Sequence, residues 1–588
     1  MQHRAWYLIL GVVLALSCAA VAGDKPSAPS VPAANSAFDK VVDKVIAREN
    51  GNIKALRHYT PIVETYLQYM QPDHELGTVP FGDEYFLDRI GFGTTLENLS
   101  FHERPGLFHR LTHPFSHGGG DRADFDPQGF AWMSVIDLRG LDRANYQFDY
   151  QGREFLGELR CIVIDVTPRS KKPEGRFLGR IWVEDRDFNI VRFNGTFSES
   201  SHGQYLHLDT WRLNMAPGAW LPAYIYTEDK LPSVSRVKGA TFKGVTRLWG
   251  YNVGKGHAEK EFTEVLVDDP NTAKDASDSA QDMTPVAAER TWLRQAEDNV
   301  IERLEQGGLL ARSGEVDKVL NTVVNNLEIT NNLDIQPEVR CRVLLTSPIE
   351  SFSVGHTIFI SRGMLDVLPD EASLAAVLSH ELAHIALGHP TDTTFAYKDR
   401  SIVSDQKLLA RMHFHRTLDE EHEADTKALE LLQNSPYRDK LGDVGLFLRQ
   451  VDARRAVLPH LIQAEMGNSM SSGVNDLRLR SLTAQAPQLT PHKVTQIAAL
   501  PLGGRIHVDP FNNQIEINRA KAVQLLTARE KMPFEITPIF PHLTRLSDDQ
   551  QAGAKPASAA PSAAAPDATA ASRNVASPEA AATATETR

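Results

Sequence analysis

The chain has 588 residues, 42% of them apolar and 23% charged, an ordinary globular composition over a length that implies several domains. A formal net charge of −13 without any basic stripe argues against nucleic acid as a partner. Three cysteines, one of them Cys18 near the N-terminus, are too few for a disulfide framework, and Cys161 and Cys341 are expected as buried free thiols, with a single bridge between them the alternative.

Residues 1–22 read as a signal peptide: His3 and Arg4 give a basic start, 5–16 an apolar run, and Ala20-Val21-Ala22 a small-x-small cleavage site before Gly23. The run is too short to span a bilayer comfortably and no later one replaces it. The mature chain is therefore expected to carry no transmembrane segment and to be periplasmic or secreted. The competing reading is a lipoprotein anchored through Cys18, since Leu16-Ser17-Cys18 is loosely lipobox-like. A Pro/Ser/Ala linker over 23–36 leads into a β-rich domain over 37–267. Its first part, 38–71, has helical spacing in Val41, Val45, Ile53 and Leu56. The period then changes. Runs at 159–166, 179–184, 188–197, 205–213, 223–227 and 241–253 are rich in β-branched and aromatic residues and are separated by turn clusters, which predicts an antiparallel, strongly curved sheet of consecutive hairpins. His102, His109, His113 and His117 match no helix face and no zinc spacing and are expected in a surface loop.

Residues 268–285 are polar and aperiodic and are expected as an interdomain linker. Helical spacing resumes through Leu293, Val300 and Leu304, then through Val316, Leu320, Val323 and Leu327, and strands follow at 340–346 and 356–361. Next comes Ser-His-Glu-Leu-Ala-His-Ile-Ala-Leu-Gly-His at 379–389, which places His380, Glu381 and His384 in the pattern HExxH. On a helix the two histidines share one face and the carboxylate lies within about a quarter-turn of both, so zinc is the expected cofactor. Asp370 is a candidate cap and Gly388 followed by Pro390 a stop. Leu374, Val377, Leu378, Leu382, Ile385 and four alanines make the helix apolar nearly all round, hence buried, and buried ionisable groups need partners. A core helix whose histidines merely bond to backbone is the competing reading. The metzincin extension fails, with Leu387 and Pro390 where a glycine and a histidine belong, so a third ligand must come from elsewhere. Downstream, Glu421 and Asp425 are four apart on one face of a predicted helix whose other face is Ala424, Ala428, Leu431 and Leu432. Taken alone, that stretch reads as a solvated acidic helix start.

Together, Phe352-Ser-Val-Gly-His-Thr-Ile-Phe-Ile-Ser-Arg-Gly-Met-Leu365, His380-Glu-Leu-Ala-His384 and Glu421-His-Glu-Ala-Asp425 resemble the gluzincin zinc metallopeptidases that include HtpX, BepA and the CAAX prenyl proteases. The resemblance implies one Zn2+ held by His380, His384 and Glu421, with Asp425 orienting a ligand histidine. It leaves a fourth zinc position for water and makes Glu381 the general base. The strand carrying His356, Ile358 and Ile360 is expected at a sheet edge, where it takes an unfolded or extended polypeptide as an added strand. Histidines that plug the metal occur in this family, which makes His460 and His492 gating candidates. Arg478, with Arg480 and Arg505, is a candidate transition-state residue. Residues 179–192 resemble a strand-turn-strand of LolA-like carrier domains, which implies a lipid or other apolar ligand. The expected fold is multidomain α+β: an antiparallel β-sheet domain, then a mainly α-helical zincin-type metallopeptidase domain over 286–548 with a small edge-strand sheet. A disordered Ala/Pro-rich tail occupies 549–588. The expected function is a periplasmic or secreted zinc metalloendopeptidase in envelope protein quality control. The rival is a lipid or peptide carrier with a gated or silent metal site.

Overall fold

A computed structural model describes residues 37–74, 77–92, 96–98, 127–170, 175–197, 207–231, 237–251, 285–391, 413–471, 476–489, 506–509, 514–517 and 543. The signal peptide, the linkers at 23–36 and 268–284, the histidine-rich stretch 102–117, His492, Arg505 and the tail lie outside the described residues.

Helix α1 (Ala37–Leu56) buries Val42, Val45, Ile53 and Leu56 at helical spacing. It stops well short of residue 71. After Pro61 the chain enters strand β1 (Ile62–Asp73), a correction to the helix expected through this stretch. The reason is visible in its burial, because its first nine residues are all buried and the strand therefore has no polar face to mark a two-residue period. Nine more strands complete an antiparallel sheet: β2 (Gly77–Phe92), β3 (Leu96–Asn98), β4 (Tyr146–Leu156), β5 (Leu159–Pro168), β6 (Phe177–Glu184), β7 (Ile190–Phe197), β8 (His207–Ala216), β9 (Ala219–Lys230) and β10 (Thr241–Trp249). Their order is β3-β2-β1-β10-β9-β8-β7-β6-β5-β4, so β4 to β10 are consecutive hairpins and β1 returns beside β10.

The alternation of β1 divides two cores. Val63, Leu67 and Tyr69 join Val45 and Ile53 of α1 and the aromatic residues Phe177, Phe193 and Phe242 in the core of the β half. Ile62 and Tyr66 point the other way, into clusters shared with the helical half. A buried bidentate pair, Arg212 Nη2 to Glu49 Oε1 (2.8 Å) and Nη1 to Glu49 Oε2 (2.5 Å), ties α1 to β8.

The helical half contains α2 (Pro285–Gln306), α3 (Glu315–Thr330), α4 (Arg362–Val367), α5 (Glu371–Leu387), α6 (Leu418–Gln433), α7 (Leu441–Arg454) and the single turn α8 (Pro459–Ile462). Strands β11 (Arg340–Leu344), β12 (Ser351–Val354) and β13 (Thr357–Ser361) form a small mixed sheet in the order β11-β13-β12. This overturns the edge expected for His356, Ile358 and Ile360. Strand β13 is central, parallel to β11 and antiparallel to β12, with Ile358 and Ile360 buried and His356 in the turn before the strand. Gly355, at φ 55, makes a two-residue turn that folds four residues, Ser351 to Val354, back along β13, and they become the outer strand. Cys161 and Cys341 are free and buried. No helix among the described residues is long and apolar enough to cross a membrane.

Candidate metal centre

Helix α5 starts where Asp370 Oδ1 accepts the Ser373 N–H at 2.8 Å and ends at Gly388, whose left-handed conformation (φ 72) stops it. Helix α6 starts in a capping box: the Glu420 N–H donates to Thr417 Oγ1 and the Thr417 N–H to Glu420 Oε2. Its acidic first turn suits the positive end of the helix dipole. Ala424 and Ala428 on α6 and Ala372, Ala375, Ala376 and Ala383 on α5 belong to one core, where side chains this small let the helices approach closely. That approach carries Glu421 to the two histidines.

His380 Nε2 and His384 Nε2 lie 3.1 Å apart. Glu421 Oε2 is 3.3 Å from the first and Oε1 3.4 Å from the second. Four-coordinate zinc with ligands at about 2.0–2.2 Å separates its donors by roughly 3.3 Å, so the spacing fits. Glu421 Oε1 is buried, in charge contact with His384 but without a hydrogen-bond donor. Such an oxygen is costly unless a cation claims it.

The ionisation of the cluster points the same way. Burial pushes His380 down, yet Glu421 and Asp425 outweigh it and raise the imidazole to about 9. Burial raises Glu421, but Arg478 and the two imidazoles hold its carboxyl far below the usual range. His384 is lowered, first by burial. A proton on His380 thus balances Glu421, and a divalent cation competes for that same charge.

Both histidines are held from behind. Asp425 Oδ1 accepts from His380 Nδ1 at 2.9 Å, which directs Nε2 into the cluster, and Asp425 Oδ2 accepts the Leu479 N–H at 2.9 Å. His384 Nδ1 lies 2.8 Å from His389 Nδ1, and His389 Nε2 lies 3.3 Å from Glu423 Oε2. Glu381 has separate partners. Its Oε1 accepts from Ser351 Oγ at 2.8 Å and from Arg478 Nη1 at 2.9 Å. Burial raises this carboxyl, but Arg478 and the two histidines hold it below its ordinary value.

Residues 312–444, which contain all of α5 and α6, match the model of Peptidase family M48. This part of the chain is a peptidase family M48 domain. No curated protein matches the chain. Among solved structures, a LolA superfamily protein from Nitrosomonas europaea is 15% identical, with 38% of this chain and 97% of that one covered at a TM-score of 0.16. A DUF1329 family protein from Desulfovibrio piger is 12% identical, with 37% and 94% covered at a TM-score of 0.17.

The fold brings His380, Glu381, His384, Glu421 and Asp425 of this domain together with Arg478, which lies beyond it in the chain. Arg478 is buried, and besides Glu381 it reaches Asn468 O (3.0 Å) and, through Nε, Glu421 Oε2 (3.3 Å). His460 is exposed on α8, where its backbone N–H donates to Asp83 Oδ1 at 3.2 Å. Ser351 and His389 carry no signal by which the sequence reading could have chosen them, apart from His389 ending the HExxH stretch. The outer side of β12 is covered: Ser353 O accepts from Arg416 Nη2 at 3.3 Å, and the Phe414 ring stacks on Phe352 at 4.8 Å.

Next to Ser351, Glu350 is fully buried, accepts the Glu465 and Met466 N–H groups at 3.0 and 2.9 Å, and is pushed up by burial to about 7. Its folded value lies above its unfolded one. The stability it contributes is therefore complete below the ordinary carboxylate pKa and lost as pH rises through about 7, a loss on the order of 3 kcal/mol. Thermal melts of Glu350→Gln should show a smaller fall in Tm between about pH 4.5 and pH 7 than the parent protein. Parallel curves for the two proteins would assign the fall to another group.

Proposed function

We propose that the protein is an exported zinc metalloendopeptidase that cleaves extended or unfolded polypeptide, with a role in envelope protein quality control. The observation that carries this reading is the division of labour at the centre. Three buried donors face one point, and Glu381, which is not one of them, has its own partners beside it.

His380, His384 and Glu421 would hold the zinc. Bound there, zinc supplies Lewis-acid polarisation of a carbonyl and lowers the pKa of water. Glu381 is the base. Arg478 and the imidazoles keep it ionised despite burial, and Ser351 and Arg478 occupy Oε1, which leaves Oε2 to take a proton from the attacking water and return it to the leaving amine. Strand β12 is the outer strand nearest this base, and an extended substrate aligned along it would displace Arg416 from Ser353 O.

The test is zinc content and casein cleavage measured side by side on the purified protein. The expected result is about one zinc per chain, with cleavage lost on chelation and restored by zinc. Bound zinc without cleavage of any unfolded substrate would favour the carrier with a silent site.

A further inference from the structure

The face of β1 that points away from the β core carries Glu64, between Ile62 and Tyr66. It is buried, and five donor groups converge on its two oxygens. Oε1 accepts the Ser347 N–H at 2.6 Å and the Tyr85 hydroxyl at 3.1 Å. Oε2 accepts Ser347 Oγ at 2.9 Å, Arg247 Nε at 2.9 Å and also Arg247 Nη2. Arg247, on β10, also donates through Nη2 to Leu345 O at 2.5 Å. Two neighbouring strands of the β-sheet therefore grip residues 345–347 of the M48 domain, on the connection between β11 and β12.

The far side of that connection is equally constrained. Gly363, at the start of α4, packs so tightly on Ser347 that a Cβ there would lie 1.8 Å from Ser347 O. The Gly363 N–H also donates to Thr346 O at 3.1 Å. Farther along, the Ile349 N–H donates to Leu461 O at 2.7 Å, and Glu350 holds the backbone at 465 and 466. The next residue is Ser351, whose hydroxyl donates to Glu381. A connection pinned at every second or third residue has little freedom to absorb a displacement.

We infer that Glu64 of the β-sheet is a positioning residue for the peptidase reaction: through Ser347 it sets the place of Ser351, and Ser351 orients the carboxylate of Glu381. The inference rests on the peptidase reading for its kinetic consequence. It also makes the β half part of the machinery that orients the base, rather than a separate module that delivers substrate.

The test is a double-mutant cycle on the full chain. A Gln at 64 turns one acceptor into a donor facing donors, so Glu64→Gln should lower kcat about tenfold with KM within about twofold and zinc content unchanged. In a Ser351→Ala background the same change should cost no further activity, because the path to Glu381 is already cut. Equal losses in both backgrounds would overturn the inference, since that is how a purely structural interface residue behaves. Ser347→Ala, which keeps the backbone N–H bond to Glu64 and removes the hydroxyl with its contacts to Glu64, Arg247 and Arg362, should give a smaller loss with the same dependence on Ser351 and serves if Glu64→Gln folds poorly. Hydrogen exchange gives a readout that does not need cleavage: amides of 351–354 should exchange faster in Glu64→Gln than in the parent. If the parent protein shows no zinc-dependent cleavage, the peptidase reading fails and the exchange result alone decides the coupling, unchanged protection at 351–354 overturning it.

Discussion

Glu381→Gln is expected to keep its zinc and its fold while peptide cleavage falls at least about a hundredfold, the usual scale for losing a general base. The amide is nearly the shape of the carboxylate and still accepts from Ser351 Oγ, and Arg478 keeps Asn468 O and Glu421 as partners, so no buried cation is stranded. What disappears is the proton acceptor. Zinc stoichiometry, a thermal melt and the cleavage rate on one preparation separate these effects. Cleavage at the parent rate would remove Glu381 from the mechanism, and loss of zinc would mean that it serves as a ligand.

Glu421→Gln is expected to act on metal binding itself. The substitution removes the only carboxylate of the donor set and the one negative charge balancing His380 among the three donors. Zinc affinity should fall, and because a metal bound only by the folded chain stabilises it, the melting temperature in added zinc should fall with it. Asp425→Ala should give a milder version, on the order of 10- to 100-fold in affinity or activity, since it orients His380 without facing the metal. It should also loosen the segment that carries Arg478, because Asp425 holds the Leu479 N–H. A Glu421→Gln protein with a full zinc complement and an unchanged melt would refute the third-ligand assignment.

The parts of this protein legible in the linear chain are those in which chemistry and backbone geometry are local. HExxH, its capped helix, and the Glu421 and Asp425 pair on one helix face each lie within a few turns, where a 3.6-residue period brings the groups together without help from the rest of the fold. The hairpins from β5 to β10 were legible for a similar reason, since each strand pairs with the next one in the chain. Strand β1 was not. Sandwiched between the β core and the helical half, it is buried on both faces, and the alternation that would have marked it as a strand is absent.

The groups that surround the three candidate metal donors were decided only in three dimensions. Arg478 was one of three candidate arginines, and it was selected by Leu479, whose backbone N–H binds Asp425 and delivers the preceding guanidinium to Glu381 and Glu421. Ser351 lies 30 residues before Glu381 on a four-residue strand too short to show a period, and the turn at Gly355 rather than any motif made that strand the edge. Glu64 is 283 residues from Ser347 and acts through a face of β1 that exists only once two halves pack together. His380, Glu381 and His384 could be read from spacing because one helical repeat brings them together, whereas Glu421 was reached through a family resemblance and meets them only where α6 packs on α5. Their orientation could not, because each orienting hydrogen bond joins segments whose meeting is set by the packing of the two cores.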